Sequence, residues 1–357
     1  MAHQAGRNDL AVERLGQAVA FAPENAEFHY DLALAYHTAG RLEEAEARYR
    51  RALELNPAKA EARNNLGYLL LSRGQLNDAE AALKGALECN PRYGEACNNL
   101  GKLLETRGDS TGAVEQYRRA IEFKPDLKDA HKNRGLLLRR QGKNDEAVSC
   151  LRQFLRLQPS DAESHFVMAQ TLEALKNLPE AEIHFRHAVR LLPDNAEYHN
   201  CLGNILFHQD RSVEAIPCYE QAIRLCPNAP GYHCNLGNAL TVAGRPRDAE
   251  LSCRNALRLR AGFPDALHNL ALAVAAQGRY PEAQKINQQV LDLQHDHAGA
   301  RNVRGLWLLQ QGEFDKGWEE AEWRFKLGRI LPRNFSQPVW DGSNLGEKRI
   351  LIHSEQG

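Results

Sequence analysis

What this 357-residue chain lacks removes several function classes before any pattern is read. Lys and Arg number 45 against 46 Asp and Glu, a net charge of -1, and no long basic stripe is present to neutralise phosphates. Nucleic acid is therefore not an expected partner. No apolar run approaches the ~18 residues of a membrane span, so a membrane is not expected either. The eight cysteines form no C-x-x-C pair, which leaves a zinc or redox framework without support. No secretory signal is read at Met1, so the expected location is cytoplasmic and the thiols are expected to be reduced. P-loop, H-E-x-x-H and G-x-S-x-G motifs are also missing, so no catalytic residue and no cofactor are expected within this chain.

What is present is a period. Pro57, Pro91, Pro125, Pro159, Pro193 and Pro227 stand 34 residues apart, each closing a helical, proline-poor segment. Counting from Ala26, the eighth residue of successive units is Ala33, Gly67, Gly101, Gly135, Ala169, Gly203, Gly237, Ala271 and Gly305. The twentieth is Ala45, Ala79, Ala113, Ala147, Ala181, Ala215, Ala249, Ala283 and Gly317. Small side chains at these two places let two helices approach closely. The fifteenth is Gly40, Gly74, Gly108, Gly142, Gly244, Gly278 and Gly312, where a helix must end in a left-handed residue. Lys176 and Asp210 depart from that column, tolerably, because Asp accepts the conformation and Asn177 follows Lys176.

A fixed ~34-residue period marks a helix–turn–helix unit that buries its apolar face only by stacking on copies of itself. Leu32, Ala33, Tyr36, Ala45, Tyr49, Ala52 and Pro57 match the pattern of the tetratricopeptide repeat, and the resemblance runs from residue 26 to about 331. It implies an all-α, right-handed superhelical solenoid, and the short apolar, β-branched run Arg349-Ile350-Leu351-Ile352-His353 reads as a strand-like C-terminal tail. Residues 1–25 read as the second helix of a partial unit, with Gly6 at the turn. Residues 26–297 read as eight full units and 298–331 as a degenerate ninth, with a linker at 332–347 and a first strand at 348–357. The open start, without a polar capping helix, leads us to expect a fragment or a partner there.

Histidines fall at the fourth position as His29, His131, His165, His199 and His233, where large aromatics are common, and are read as half-buried packing groups. His184 with His187, and His295 with His297 around Asp296, supply two ligands each without a convergent third, so no metal site is expected. Lys132, Arg134, Arg139, Arg140 and Lys143 make the fourth unit basic. A solvated face is the simpler reading, and a local site for an acidic peptide is the alternative.

The positive signal is at the sixth position, on the first helix of each unit, which lines the inner groove of such stacks. Asn65, Asn99, Asn133, Asn235 and Asn269 stand there, and Asn64 and Asn98 precede two of them. Carboxamides carry donors and an acceptor together, so a column of them suits the backbone of an extended peptide. The N-L-G and N-L-A triplets at Asn65, Asn99, Asn235 and Asn269 resemble the asparagine ladder of protein O-linked N-acetylglucosamine transferases. That resemblance implies a groove holding the polypeptide to be glycosylated. Asp31, Val167, Cys201 and Val303 interrupt the column.

Beyond residue 300 the rhythm fails, with Ala261 and His295 already standing where proline was due, and all four tryptophans appear. Gly317, Trp318, Glu322 and Arg324, then Pro338, Trp340 and Gly342, then His353, Glu355, Gln356 and Gly357 resemble the junction of bacterial repeat proteins with a glycosyltransferase domain. The resemblance implies a nucleotide-sugar donor for a parent enzyme, a downstream catalytic domain as partner, and Trp318, Trp323 and Trp340 as interdomain contacts. A non-catalytic interaction scaffold is the alternative.

Overall fold

A computed structural model describes residues 2–327, with side chains for 9–326. The linker, the expected strand and Trp340 lie outside the described residues. The chain divides into two compact units, Met1–Pro193 and Asp194–Gly357. The first contains a leading helix, Ala2–Phe21 (α1), and five hairpins. These are Ala26–Thr38 with Leu42–Leu55 (α2, α3), Ala60–Ser72 with Leu76–Cys89 (α4, α5), Gly94–Thr106 with Ser110–Phe123 (α6, α7), Lys128–Arg140 with Asn144–Leu157 (α8, α9) and Ala162–Ala174 with Leu178–Leu191 (α10, α11). The second contains Ala196–His208 with Ser212–Leu225 (α12, α13), Pro230–Val242 with Pro246–Leu259 (α14, α15), Pro264–Ala275 with Tyr280–Leu293 (α16, α17) and Ala298–Gln310 with Phe314–Ala321 (α18, α19). The fold is all-α, with no strand among the described residues.

One local expectation is corrected. Gly6 makes no turn, because α1 passes through it as one helix of 20 residues. In the ninth hairpin, α19 stops after eight residues and gives way to a 3₁₀ turn over Glu322–Leu327.

The turns follow from backbone chemistry. In the first hairpin the N–H of Arg41 donates to the carbonyl of Tyr36 at 2.9 Å and that of Gly40 to His37 at 3.0 Å, the pairing that closes a helix through a left-handed residue. The same bonds recur at Gln75, Asp109, Lys143, Asn177, Arg211, Arg245, Arg279 and Glu313. The left-handed residue is glycine except at Lys176 and Asp210, where φ is 62° and 60°. A side chain there costs ~1–2 kcal/mol, and glycine returns ~0.5–1 kcal/mol of that as chain entropy. Lys176→Gly is thus expected to stabilise the first unit by about 0.5–1 kcal/mol in urea unfolding. A loss would mean that the lysine holds the turn in some other way.

In the five hairpins of the first unit a large residue on the second helix fills the space over the small residue on the first. Tyr49, Leu83, Tyr117, Leu151 and Phe185 in the first unit, all fully buried, occupy one repeat position. A Cβ built on Gly101 would sit 2.6 Å from Cε1 of Tyr117, and one on Gly67 2.6 Å from Cγ of Leu83. In the second unit Tyr219 closes on Gly203 in the same way, at 2.6 Å. First helices also touch one another, α4 with α6, α6 with α8 and α8 with α10 in the first unit, and α12 with α14 and α14 with α16 in the second. One face of each unit is therefore built from first helices alone, and the asparagines lie on it.

Candidate functional site

The asparagine column is stitched into the stack. In the first unit Asn99 Nδ2 donates to Asn64 Oδ1 at 2.9 Å, Asn64 Nδ2 to Asn65 Oδ1 at 3.1 Å, and Asn65 Nδ2 to the Tyr30 hydroxyl at 3.1 Å. Asn133 Nδ2 donates to Asn98 Oδ1 at 3.0 Å. In the second unit Asn235 Nδ2 donates to Asn200 Oδ1 at 2.9 Å, and Asn269 Nδ2 to the carbonyl of Cys234 at 3.3 Å. The rule is geometric: the sixth residue of one repeat reaches the fifth residue of the repeat before it.

This changes what the amides can offer. Asn64 and Asn98 are each 4 % exposed, and Asn99 and Asn269 are 8 % and 9 % exposed, so they are groups of the helix–helix seam before they are groups of a groove. Burial of an amide is tolerated because it is bonded. Asn65, Asn133 and Asn235 are half-buried. The carboxamide oxygens of Asn99, Asn133 and Asn235 take no bond from the described residues.

Sequence reasoning missed a second column, the ninth position of the first helices. Tyr68 stands there, 41 % exposed, with the His37 ring 5.9 Å away and the Lys102 ammonium 5.6 Å from its centroid. Asn204 and Asn238 hold the same place in the second unit. The 34-residue beat that located the sixth position would have located this one, but its residues vary and so left no repeated triplet to notice.

The other expected groups are spent within the chain. In the fourth hairpin Lys132 pairs with Asp161 at 3.2 Å and Glu163 at 3.1 Å, Arg134 with Glu146 at 3.5 Å, and Arg140 with Glu105. Arg139 donates to the neutral amide of Gln170 at 2.9 Å, so three of the five basic residues are paired with carboxylates of the chain itself. The fourth-position histidines do more than pack: Nε2 of His29, His131, His165 and His233 donates to the carbonyl of Pro23, Pro125, Pro159 and Pro227 at 2.9, 2.9, 3.1 and 3.0 Å. Each thereby ties a first helix to the loop that enters it.

With its Nε2 proton so committed, neutral His165 accepts at Nδ1 from His184 Nδ1, 2.9 Å away, while His187 stacks on His165 with centroids 4.9 Å apart. Among the described residues no group of three or more His, Cys, Asp or Glu is placed to hold a metal ion. The cysteines are free thiols; Cys97, Cys150, Cys234 and Cys253 are buried, whereas Cys89 and Cys226 are exposed at helix ends. Burial pushes Cys234 and Cys253 up to about 12, so both stay protonated and unreactive at neutral pH. Trp323 is half-buried between the Arg301 guanidinium, 4.7 Å from its ring, and the Lys326 ammonium at 3.4 Å, while Trp318 is 58 % exposed. No helix among the described residues is long and apolar enough to cross a membrane.

Comparison with curated protein sequences gives no match. Among solved structures, YrrB, described as a TPR protein with an unusual peptide-binding site, is 21 % identical with a TM-score of 0.48, covering 54 % of this chain and 98 % of its own. MamA is 22 % identical at a TM-score of 0.45, covering 48 % and 93 %. Pseudomonas aeruginosa pilF is 20 % identical at 0.46, covering 58 % and 94 %. Family models described as tetratricopeptide repeat match residues 38–93, 132–196, 196–229 and 265–302, and one described as TPR repeat matches 1–40 and 106–142. These matches fall on the helical hairpins themselves, and the chain is a tetratricopeptide repeat protein.

Proposed function

We propose that the chain captures an extended polypeptide, in the cytoplasm, on the face that the first helices build within each unit, and that it does so as the acceptor-recruiting arm of a protein glycosyltransferase. The observation that carries the capture is the column of sixth-position carboxamides. Their donors bridge one repeat to the next, which holds the amides in a fixed orientation, and the oxygens of Asn99, Asn133 and Asn235 remain for a ligand. A backbone N–H is the complementary group, so recognition would follow the peptide's main chain more than its sequence. The arm reading is supported by the resemblance of Gly317, Trp318, Glu322, Arg324 and the motifs after them to a glycosyltransferase junction. The nucleotide sugar would belong to that catalytic domain, and this chain would need no cofactor. A reading frame that continues past Gly357 into a domain opening Leu-Gly-Asp would support the arm, and a stop codon or unrelated sequence would leave a scaffold.

Capture is tested with dodecapeptides selected from a phage-displayed random library and measured by fluorescence anisotropy. Replacing Asn65, Asn99 and Asn133 together by Ala is expected to weaken binding about tenfold, since the Asn99 and Asn133 oxygens each lose a peptide hydrogen bond worth ~0.5–1.5 kcal/mol. Retained far-UV helicity is checked at low temperature, because the same amides stitch the repeats. A photo-crosslinking residue at Tyr68 should label the peptide in the otherwise unaltered chain. Unchanged affinity together with no crosslink would reject the site.

A further inference from the structure

The second unit contains a cavity of about 200 Å³ lined by Asn204, Phe207 and His208 of α12, Tyr219 of α13, and Asn235 and Asn238 of α14. It is smaller than the ~300–1,000 Å³ of pockets for drug-sized ligands and suits a single side chain. Its polar groups are oriented by bonds among themselves. Asn204 Oδ1 accepts from the Tyr219 hydroxyl at 2.9 Å and from Asn235 Nδ2 at 3.2 Å. Asn235 Nδ2 also donates to Asn200 Oδ1 at 2.9 Å. Two donors on one oxygen fix the Asn204 amide, so its Nδ2 points the other way with both hydrogens unspent. Asn235 has spent both of its hydrogens and keeps its oxygen. Asn238 makes no hydrogen bond to the described residues, and so offers donors and an acceptor together.

No carboxylate, ammonium or guanidinium lines the cavity. A lysine or arginine entering it would lose water without gaining a counter-charge, and a carboxylate would meet the oxygens of Asn235 and Asn238 with the His208 imidazole as its one titratable partner. An aliphatic one would leave the Asn204 and Asn238 donors without partners. A carboxamide meets both demands: its oxygen accepts from Asn204 Nδ2, its N–H groups donate to the oxygens of Asn235 or Asn238, and its plane lies against the Phe207 and His208 rings.

We propose that this cavity is a subsite for an asparagine or glutamine side chain of the bound polypeptide, an inference that rests on the peptide-capture reading above. It gives selectivity at one position to a face that otherwise reads main chain.

The test uses the whole chain and dodecapeptides selected on it from the random library. A carboxamide residue is expected to recur at one position among the selected peptides. Replacing that residue by Glu or by Leu should weaken binding at least tenfold in fluorescence anisotropy. Asn238→Asp places a carboxylate in the wall without removing any bond the fold uses. It should weaken the Gln peptide about tenfold and bind the Gln→Lys peptide more tightly than the unaltered protein does. Asn238→Leu should lose the discrimination between Gln and Leu. Selected peptides with no recurring carboxamide, or equal affinity for the Gln and Leu versions, would overturn the subsite. If Asn65, Asn99 and Asn133→Ala weakens capture while Gln→Leu is neutral, only the subsite falls. If no peptide is selected and none crosslinks at Tyr68, capture and subsite fall together.

Discussion

Tyr117→Ala is expected to cost about 3–5 kcal/mol of unfolding free energy, the range for truncating a large buried aromatic. The ring is fully buried between α6 and α7, over Gly101, and its hydroxyl donates to Glu105 Oε2 at 2.9 Å. Gly101 has no side chain to move into the space, so the cavity persists. The converse change is also costly: Gly101→Leu drives carbon into a ring that a Cβ alone would approach to 2.6 Å, with an overpacking penalty of ~1–3 kcal/mol. The two changes together should be milder than their sum, since the leucine then occupies the volume the tyrosine vacated. A double-mutant cycle by urea unfolding is expected to return a coupling of about 2 kcal/mol. Strict additivity would show that the two positions do not share that space.

Acidification is expected to remove stability before the carboxylates begin to titrate. Burial, aided by neighbouring His297, holds His268 down at about 4, against the small opposing pull of Asp265 and Asn287. In the unfolded chain an imidazole takes its proton near pH 6.5, so between about 6.5 and 4 the unfolded state binds more protons than the folded one. Stability present above pH 6.5 is therefore lost as pH falls toward 4. At ~1.36 kcal/mol per unit, His268 accounts for about 2 kcal/mol by pH 5 and about 3 kcal/mol by pH 4. His184, also lowered to about 4 by burial and by His165, acts in the same direction in the first unit, with a smaller effect because it is more open to water. Urea midpoints compared at pH 7 and pH 5 should fall in the unaltered protein, and His268→Phe should flatten part of that fall. A midpoint independent of pH over this interval would contradict the assignment.

The fold was legible because each of its demands falls on one residue at one repeat position. A helix end that needs positive φ selects glycine, and even the departures at Lys176 and Asp210 could be placed from sequence, since the turn geometry leaves no other position for them. The close approach of two helices selects alanine or glycine at the eighth and twentieth positions for an equally local reason. Where the reading failed, the deciding interaction was out of reach. Gly6 matches the turn column, yet α1 continues through it.

The candidate site was legible as a column and not as a set of bonds. Asn64 and Asn98 looked like additional groove donors, but they are buried acceptors for Asn99 and Asn133. The basic residues of the fourth hairpin looked like a patch, but Lys132 finds its carboxylates 29 and 31 residues later. Tyr68, Asn204 and Asn238 went unnoticed because the ninth position carries no common residue type.

The sequence by itself determined the repeat unit, its length, its turns and the face on which the asparagines stand, since these are set by backbone sterics and helical spacing within one hairpin. Only the tertiary structure decided which asparagine hydrogens bind the next repeat, which amides stay open, and where Asn204, Asn235 and Asn238 gather around a cavity. The reason is distance along the chain. Partners roughly one repeat apart in sequence meet only after hairpins stack, and a side chain's remaining hydrogen-bonding capacity is known only once its buried bonds have been made.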